Sequence, residues 1–271
     1  MALLNRFLNP IFDLLMRPLQ PLGVAPSLAV VSLVTAIAIL LVVRATSDQR
    51  ALAAIKRQIH ADLFEIRLFN DDLRAMLRAE LGILRHNATY LRLSLAPMLW
   101  ILVPAALLAA QLQAYYGYAG VGVGEPVLVT VQFKSGGPST AALDAPPALK
   151  IEISAISLPA IKQVVWRIVG TAPGDYELRL RIADDEYAKT IHISDGLARR
   201  SSVRLAPRLL DEVAYPSEAP LPDGAPISMI RVDYPQPGIG VFGRRIHWIM
   251  IYITLSVVFA VFLRRPLRVT I

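Results

Sequence analysis

Long stretches without a charged side chain constrain this chain more than any other feature. Residues 22–43 and 93–124 contain no Asp, Glu, Lys or Arg, and neither do residues 246–263. A helix of about 20 apolar residues is enough to cross the hydrocarbon core of a bilayer. We therefore expect three transmembrane helices, at residues 24–43, 94–115 and 246–263, with the lipid bilayer as their first partner.

The composition agrees with a membrane protein. The 271 residues are 55% hydrophobic and only 18% charged, and the mean hydropathy of +0.49 is higher than a soluble domain usually has. The net charge of +7 is explained by basic residues beside the uncharged runs, because no basic cluster interleaved with aromatic residues is present. We expect no nucleic acid partner. The absence of cysteine excludes disulfides and thiolate metal sites.

The segment between the first two predicted spans, residues 44–92, has the pattern of a helical hairpin. Its apolar residues recur every three or four positions, which places each set on one helical face. The first set is Leu52, Ile55, Ile59, Leu63 and Ile66, and the second is Leu73, Leu77, Leu81, Leu84 and Leu91. Residues 69–72 offer side chains that cap a helix N-terminus. We expect the two stripes to bury against each other in an antiparallel coiled coil, with one continuous helix as the alternative.

Residues 1–20 predict an amphipathic helix. Its polar residues share one face and are Asn5, Arg6, Asn9, Asp13 and Arg17. The opposite face carries Leu4, Phe7, Leu8, Ile11, Leu14 and Leu15. A helix of this kind lies in the interface of a membrane, and packing on a protein partner is the alternative.

Basic residues set the expected orientation, because loops rich in Lys and Arg stay in the cytoplasm. The hairpin holds nine of them: Arg44, Arg50, Lys56, Arg57, Arg67, Arg74, Arg78, Arg85 and Arg92. After the second span no Lys or Arg follows until Lys134. We therefore expect the hairpin and the tail at 264–271 in the cytoplasm of a bacterial inner-membrane protein. The N-terminus and residues 116–245 are expected outside, in the periplasm.

Residues 120–240 have the pattern of an all-β domain. Turn residues separate β-rich runs at 127–133, 149–156, 164–169, 176–182, 189–193, 202–205 and 227–234. The run at 176–182 alternates strictly between apolar and polar residues, and Trp166 stands in the run before it. The Pro-Gly-Asp-Tyr turn that ends at Tyr176 resembles the tyrosine corner of immunoglobulin-like sandwiches. We expect an extracytoplasmic immunoglobulin-like sandwich of about seven strands with an external protein partner.

No pattern typical of a catalytic or metal site is found in the sequence. The four histidines, His60, His86, His192 and His247, are not at metal-ligand spacing with one another or with a carboxylate. Neither a nucleophile elbow nor a phosphate-binding loop occurs. We therefore expect no enzyme activity, no cofactor and no metal.

The order of these parts resembles the YidC-like membrane protein insertases, a superfamily that includes archaeal relatives and the insertase subunit of the endoplasmic reticulum membrane complex. The shared parts are an outer amphipathic helix, a span, a basic cytoplasmic hairpin, a second span and a later third span. The resemblance covers residues 1–115 and 246–271, and residues 44–92 carry most of it. It implies a membrane α-helical bundle that inserts or chaperones membrane proteins, with nascent membrane proteins or a membrane protein complex as partners.

The resemblance also implies a client site, because in that family three spans enclose a polar groove that receives the translocating segment. The matching polar residues are Ser32, Thr35, Gln111, Gln113, Thr254 and Ser256, with Arg44 and Arg92 at the cytoplasmic mouth. For each polar residue, a hydrogen bond between packed helices is the alternative role.

Two departures from the family leave a second function open. Bacterial members hold an arginine inside the groove, and this chain has none within its predicted spans. A β-domain also stands where the larger bacterial members have a helical hairpin. The alternative is a membrane-anchored interaction protein whose β-sandwich binds an external partner while the hairpin acts as a scaffold inside.

Overall fold

The structure is a computed structural model that describes residues 2–46, 49–68, 73–134, 141–235, 238–241, 243–267 and 269. The chain divides into two compact units. We call Met1–Leu28 together with Leu107–Met250 the β unit, and Ala29–Ala106 together with Ile251–Ile271 the hairpin unit.

Helices form where the sequence predicts the amphipathic segment, the hairpin arms and the apolar runs. They are α1 (Ala2–Met16), α2 (Val24–Thr46), α3 (Gln49–Leu68), α4 (Leu73–Tyr116) and α6 (Trp248–Leu263). A short helix that was not predicted, α5 (Leu209–Ala214), precedes α6 in the chain. Between α1 and α2, Arg17–Leu22 forms a 3₁₀ segment that ends at Gly23, whose φ of 79° is a conformation that glycine adopts readily.

Two helices of the described chain are long and apolar enough to cross a membrane. They are α2, with 23 residues, and the last 19 residues of α4, Met98–Tyr116. The third predicted span forms α6, which is apolar but has 16 residues and so falls short of the roughly 20 that a span needs. The chain thus combines two candidate membrane spans with antiparallel β-sheets.

The second hairpin arm and the second predicted span are one continuous helix. α4 has 44 residues, which at 1.5 Å per residue is a length of about 66 Å. The residues at the expected boundary, 92–95, include no glycine or proline, so nothing there ends the helix. The predicted turn at residues 69–72 lies outside the described residues.

α3 and α4 contact each other through a different face from the predicted one. Asp62 Oδ2 lies 2.7 Å from His86 Nδ1, and Lys56 Nζ lies 5.5 Å from the centre of the Tyr90 ring. A Cβ atom at Gly82 would lie 3.0 Å from Asp62 Oδ2, so glycine permits this approach. Asp62 follows Lys56 in α3, whereas its partner His86 precedes Tyr90 in α4, so the two helices run antiparallel. A carboxylate–histidine contact and a cation–π contact therefore join the two helices on this face.

The prediction that the second leucine stripe packs on the first arm is wrong. Leu77, Leu81, Leu84 and Leu91 are 51–67% exposed, and the side chain of Leu73 lies outside the described part of the chain. Because a helix turns by about 100° per residue, His86 lies about 200° around α4 from Leu84. The face that contacts α3 and the face that carries these leucines are therefore opposite. We call Leu77, Leu81, Leu84 and Leu91 the outer leucine stripe.

The β unit contains two antiparallel sheets and a small hairpin. Its strands are β1 (Pro126–Phe133), β2 (Ala141–Asp144), β3 (Leu149–Leu158), β4 (Gln163–Gly170), β5 (Gly174–Ile182), β6 (Asp185–Ile193), β7 (Val203–Leu205), β8 (Ile227–Val232), β9 (Ile239–Val241) and β10 (Arg244–Ile246). The sheet orders are β3-β4-β1-β8-β7 and β2-β5-β6, and β9 pairs with β10. Each predicted run coincides with a strand. The strand β2 was not predicted, because Ala-Ala-Leu-Asp has no β-branched or aromatic residue.

Both sheets contribute side chains to one hydrophobic core. Its members include Val129, Trp166 and Ile168 from the first sheet and Leu178, Leu180 and Ile191 from the second. Trp166 is 3% exposed, which confirms the predicted burial of its indole. The Tyr176 hydroxyl donates to the carbonyl of Ala172 at 3.0 Å, as in a tyrosine corner.

Candidate functional site

The predicted groove residues divide between the two units. Ser32, Thr35, Arg44, Arg92, Thr254 and Ser256 belong to the hairpin unit, whereas Gln111 and Gln113 belong to the β unit. Neither unit by itself contains all eight.

In the hairpin unit the hydroxyl groups make short-range helix contacts. Ser32 and Thr35 are buried, and Thr254 is exposed. Thr35 Oγ1 donates to the Val31 carbonyl at 2.8 Å, within its own helix. Ser256 Oγ lies 3.5 Å from the Ser32 carbonyl, which is at the long limit for a hydrogen bond. Of these contacts, only that of Ser256 is long enough to be weak.

The two predicted mouth arginines are both exposed. Arg44 lies in the last turn of α2, where a cation interacts favourably with the helix dipole. Its Nη1 donates to the carbonyl of Leu267 at 3.3 Å, which joins the end of α2 to the residues that follow α6.

In the β unit, Gln111 belongs to a polar cluster around Arg199, a residue of the loop between β6 and β7. Arg199 Nη1 donates to Gln111 Oε1 at 3.0 Å and to Asn9 Oδ1 at 3.1 Å. Arg199 Nε donates to Asp13 Oδ1 at 2.7 Å, and the guanidinium lies 5.1 Å from the centre of the Tyr115 ring. The Tyr115 hydroxyl also donates to Asp13. We call these five side chains the Arg199 cluster.

Gln113 holds α4 to the start of α6. Trp248 Nε1 donates to Gln113 Oε1 at 3.0 Å, and the rings of Trp248 and Tyr116 stack with centres 6.1 Å apart. Trp248 is fully buried. Both predicted groove glutamines therefore make structural hydrogen bonds inside the β unit.

α1 packs through its polar face and turns its apolar face outward. Asn5 Nδ2 donates to the Glu212 carbonyl at 2.7 Å, and Asn9 Nδ2 donates to the Pro216 carbonyl at 2.8 Å. The apolar side chains are 53–69% exposed, namely Phe7, Ile11, Leu14 and Leu15. The predicted amphipathic helix is therefore present, with its polar face bound to the protein.

A buried arginine fixes the loop that presents Arg199. Arg200 is 2% exposed, and its Nη2 donates to the carbonyls of Gly196 at 2.6 Å and Ser194 at 3.0 Å. The backbone N–H of Arg200 donates to the Ala114 carbonyl at 2.8 Å, which ties the loop to α4. Burial lowers the pKa of the Arg200 guanidinium, and the charge of Asp195 opposes this.

A cleft of about 900 Å³ opens between the 3₁₀ segment that follows α1 and the loops of the β unit. Its wall carries the titratable groups of Asp13, Arg17, Asp175, His192, Arg199 and Glu218. Gln20, Thr190 and Ser194 add neutral hydrogen-bonding groups. The wall of the cleft thus carries acidic, basic and neutral polar side chains, which suits a charged or strongly polar ligand.

One side of this cleft rests on a buried ion pair. Lys189 is 1% exposed, and its Nζ donates to Glu218 Oε2 at 2.6 Å and to Ser201 Oγ at 2.8 Å. Burial by itself raises the pKa of Glu218, but the Lys189 charge and three hydrogen bonds outweigh it, so the pKa is lowered. A lysine beside a serine can act as its base. Burial lowers the pKa of Lys189, and the charge of Glu218 opposes this. The 2.6 Å contact between Nζ and the Glu218 carboxylate indicates a structural ion pair instead.

His192 and Asp175 form a second pair on the wall. His192 Nδ1 bonds the Asp175 carboxylate, and the His192 backbone N–H donates to the Tyr234 hydroxyl at 2.9 Å. Burial raises the pKa of Tyr234 to about 12, so this hydroxyl stays neutral near pH 7. These contacts hold His192 in place and leave Asp175 with a side chain that is 74% exposed.

Sequence reasoning missed Arg199, which is 88 residues from Gln111 in the chain. The available signal was Asn9 and Asp13, two residues four apart on the polar face of a predicted interfacial helix. Among the described residues, no group of three His, Cys, Asp or Glu could hold a metal ion.

No known protein family, no curated protein and no solved structure matches this chain.

Proposed function

We propose that this chain is an integral membrane protein of the YidC-like insertase class, and that it assists the insertion or folding of other membrane proteins. The observation that carries the proposal is the outer leucine stripe of α4, which is apolar and exposed from Leu77 to Leu91. An exposed apolar stripe of this length is typical of an interaction surface.

The length of α4 favours a protein over lipid as the partner of the stripe. The apolar window of α4 begins at Met98. At 1.5 Å per residue, Leu91 lies about 10 Å and Leu77 about 32 Å from Met98 along the helix. The headgroup region extends only about 5–8 Å beyond each side of the hydrocarbon core. Lipid therefore covers Leu91 at most, and the remaining leucines are available to a client segment.

Charge favours a client over a second copy of this chain. Residues 44–92 hold nine Lys and Arg against six Asp and Glu, and the exposed Arg85 and Arg92 lie beside the stripe. Two such hairpins would repel each other, whereas an apolar segment with acidic flanks would be attracted. The proposed client segment is therefore an apolar helix with acidic neighbours.

Polar groups in the hairpin unit give such a client a route into the membrane. Ser32, Thr35, Thr254 and Ser256 offer hydroxyls on α2 and α6, which reduces the cost of moving polar groups through hydrocarbon. Gln111 and Gln113 are left out of this route, because their amide groups already bind within the β unit.

In this proposal the hairpin is cytoplasmic and residues 116–245 lie outside a bacterial inner membrane as an immunoglobulin-like domain. The Lys and Arg bias supports the orientation, and the Tyr176 bond supports the domain type. Single cysteines at Thr89 and Asp184, which are both exposed, should react with an impermeant thiol reagent from opposite sides. Reaction of both from one side would contradict this orientation.

Photocrosslinking tests the client surface. A photoreactive residue at Leu81 or Leu84 should crosslink to a short-tailed membrane protein during its insertion into vesicles. Thr89 is the matched control, because it is exposed but lies about 140° around α4 from Leu84. Equal crosslinking from all three positions, or none from the leucines, would reject the stripe as a client surface.

A membrane-anchored interaction protein is the second candidate, and the cleft of the β unit favours it. In that case, replacement of cleft residues would abolish binding of an external partner and leave client insertion unchanged. Insertion that depends on the outer leucine stripe would instead favour the insertase.

A further inference from the structure

We infer that the cleft of the β unit binds a small zwitterion that carries a phosphate and a primary amine, as in a phosphoethanolamine headgroup. The cleft has a volume of about 900 Å³, within the range of about 300–1,000 Å³ that is usual for small-molecule sites. Its wall combines charged and polar side chains with apolar ones such as Leu197 and Ala198, so an entirely apolar ligand would leave polar groups without partners.

Most charged groups of the wall already form neutral pairs. Asp13 pairs with Arg199 at 2.7 Å, and Glu218 pairs with Lys189 at 2.6 Å. Both pairs are further hydrogen-bonded, to Tyr115 and to Ser201 respectively. They shape the cleft and add little net charge to it.

Arg17 and Asp175 remain available to a ligand. Arg17 is exposed and, among the described residues, makes no hydrogen bond or ion pair. Asp175 uses one carboxylate oxygen for His192 Nδ1, and its side chain is 74% exposed. One group comes from the 3₁₀ segment and the other from β5, so the cleft presents a cation and an anion on different elements.

These two groups match the two charges of the proposed ligand. A guanidinium binds phosphate through parallel N–H bonds, and a carboxylate accepts hydrogen bonds from a primary ammonium. A quaternary ammonium has no N–H to donate to Asp175. A headgroup without an amine offers Asp175 no cation at all. The site should therefore prefer a primary amine.

Exposed leucines that adjoin Asp13, Arg17 and Pro21 of the cleft wall in the sequence indicate a lipid as the carrier of this headgroup. Leu14 and Leu15 before Arg17, and Leu22 at the end of its 3₁₀ segment, are 50–67% exposed. Apolar side chains beside a charged cleft suit an amphiphile whose acyl chains stay outside. The lipid source rests on the membrane location in the proposed function, whereas the headgroup chemistry does not depend on it.

Competition binding with the full-length protein in detergent micelles tests the inference. Acyl-labelled phosphatidylethanolamine is the probe, and the competitors are phosphatidylethanolamine, phosphatidylcholine, phosphatidylglycerol and soluble glycerophosphoethanolamine. The choline and glycerol lipids should compete about tenfold more weakly, the usual effect of one charge-assisted hydrogen bond. If soluble glycerophosphoethanolamine competes as strongly as phosphatidylethanolamine, the site binds this headgroup chemistry as a free ligand. If it competes more weakly, the natural ligand is a lipid.

Two variants and two controls locate the site. Asp175→Asn should remove the preference over phosphatidylcholine, and Arg17→Gln should weaken all phospholipids by about tenfold. Asp184→Asn and Arg6→Gln should change neither, since both residues are exposed and lie off the cleft wall. Near-UV circular dichroism verifies that each variant is folded.

Equal competition by the three lipids, or a preference that survives Asp175→Asn, would overturn the inference. Crosslinking from Leu81 in the same variants should be unchanged. Failure of the cleft site and failure of the client surface are therefore distinguishable.

Discussion

The sheets of the β unit and the second arm of the hairpin unit use their apolar residues in opposite ways. In the β unit, side chains such as Val129 and Trp166 are at most 3% exposed, and the Arg199 cluster satisfies its polar groups internally. In the hairpin unit, Leu81 and Leu84 are both 67% exposed although their spacing is that of a packed helix. Periodicity therefore identifies an apolar face equally well in both units, but it does not tell whether that face packs within the chain or is left for another molecule.

Truncation of an apolar side chain in each unit gives the largest expected contrast. Trp166→Ala should lower the free energy of unfolding by about 3–5 kcal/mol, because it leaves a cavity in the core. Leu84→Ala should change it by less than about 0.5 kcal/mol, as for other exposed positions. Urea unfolding of the full chain in detergent, followed by far-UV circular dichroism, measures both. A large effect of Leu84→Ala would mean that the stripe is packed and that the contrast is wrong.

The carboxylate contacts of the two units give the second comparison, between Glu218 with Lys189 and Asp62 with His86. Glu218→Gln should cost about 3 kcal/mol, because it leaves the ammonium of Lys189 buried without a carboxylate. Asp62→Asn in the hairpin unit should cost at most about 1 kcal/mol, since that pair with His86 is partly open to solvent.

The Glu218 effect should depend on pH. Its folded-state pKa is lowered from the ordinary value of 4.5, so its stabilisation is present above pH 4.5 and is lost as the pH falls through the folded-state pKa. The difference in unfolding free energy between the wild type and Glu218→Gln should therefore shrink in acid. A difference that is constant down to pH 2 would contradict the ionised pair.

The third comparison concerns the position of α1. Arg199→Lys keeps the charge but loses the planar set of N–H donors that reaches Asn9, Asp13 and Gln111, at a cost of about 1–2 kcal/mol. Hydrogen exchange should rise in α1 and remain unchanged in α3. A uniform rise in both helices would indicate general destabilisation instead.

Local patterns predicted most of the elements of the fold. The strict alternation at 176–182 and the buried run at 164–169 became β5 and β4, because side chains alternate across a strand whatever lies beyond it. The face of α4 was not predictable in the same way. Leu77, Leu81 and Leu84 have helical spacing, and so do Gly82, His86 and Tyr90.

The sequence by itself determined the charge-free segments, the basic hairpin, the β-domain and the burial of Trp166, because hydropathy, charge and periodicity act within a short stretch of chain. The tertiary structure decided which face of α4 packs, since that choice depends on Asp62 and Lys56 in another helix. It also decided that Gln111 binds Arg199 and Asn9, and that Arg17 and Asp175 line one cleft. The partner of a polar side chain is set by elements remote in the chain, because a hydrogen bond requires a specific atom at a specific distance and carries no period along the sequence.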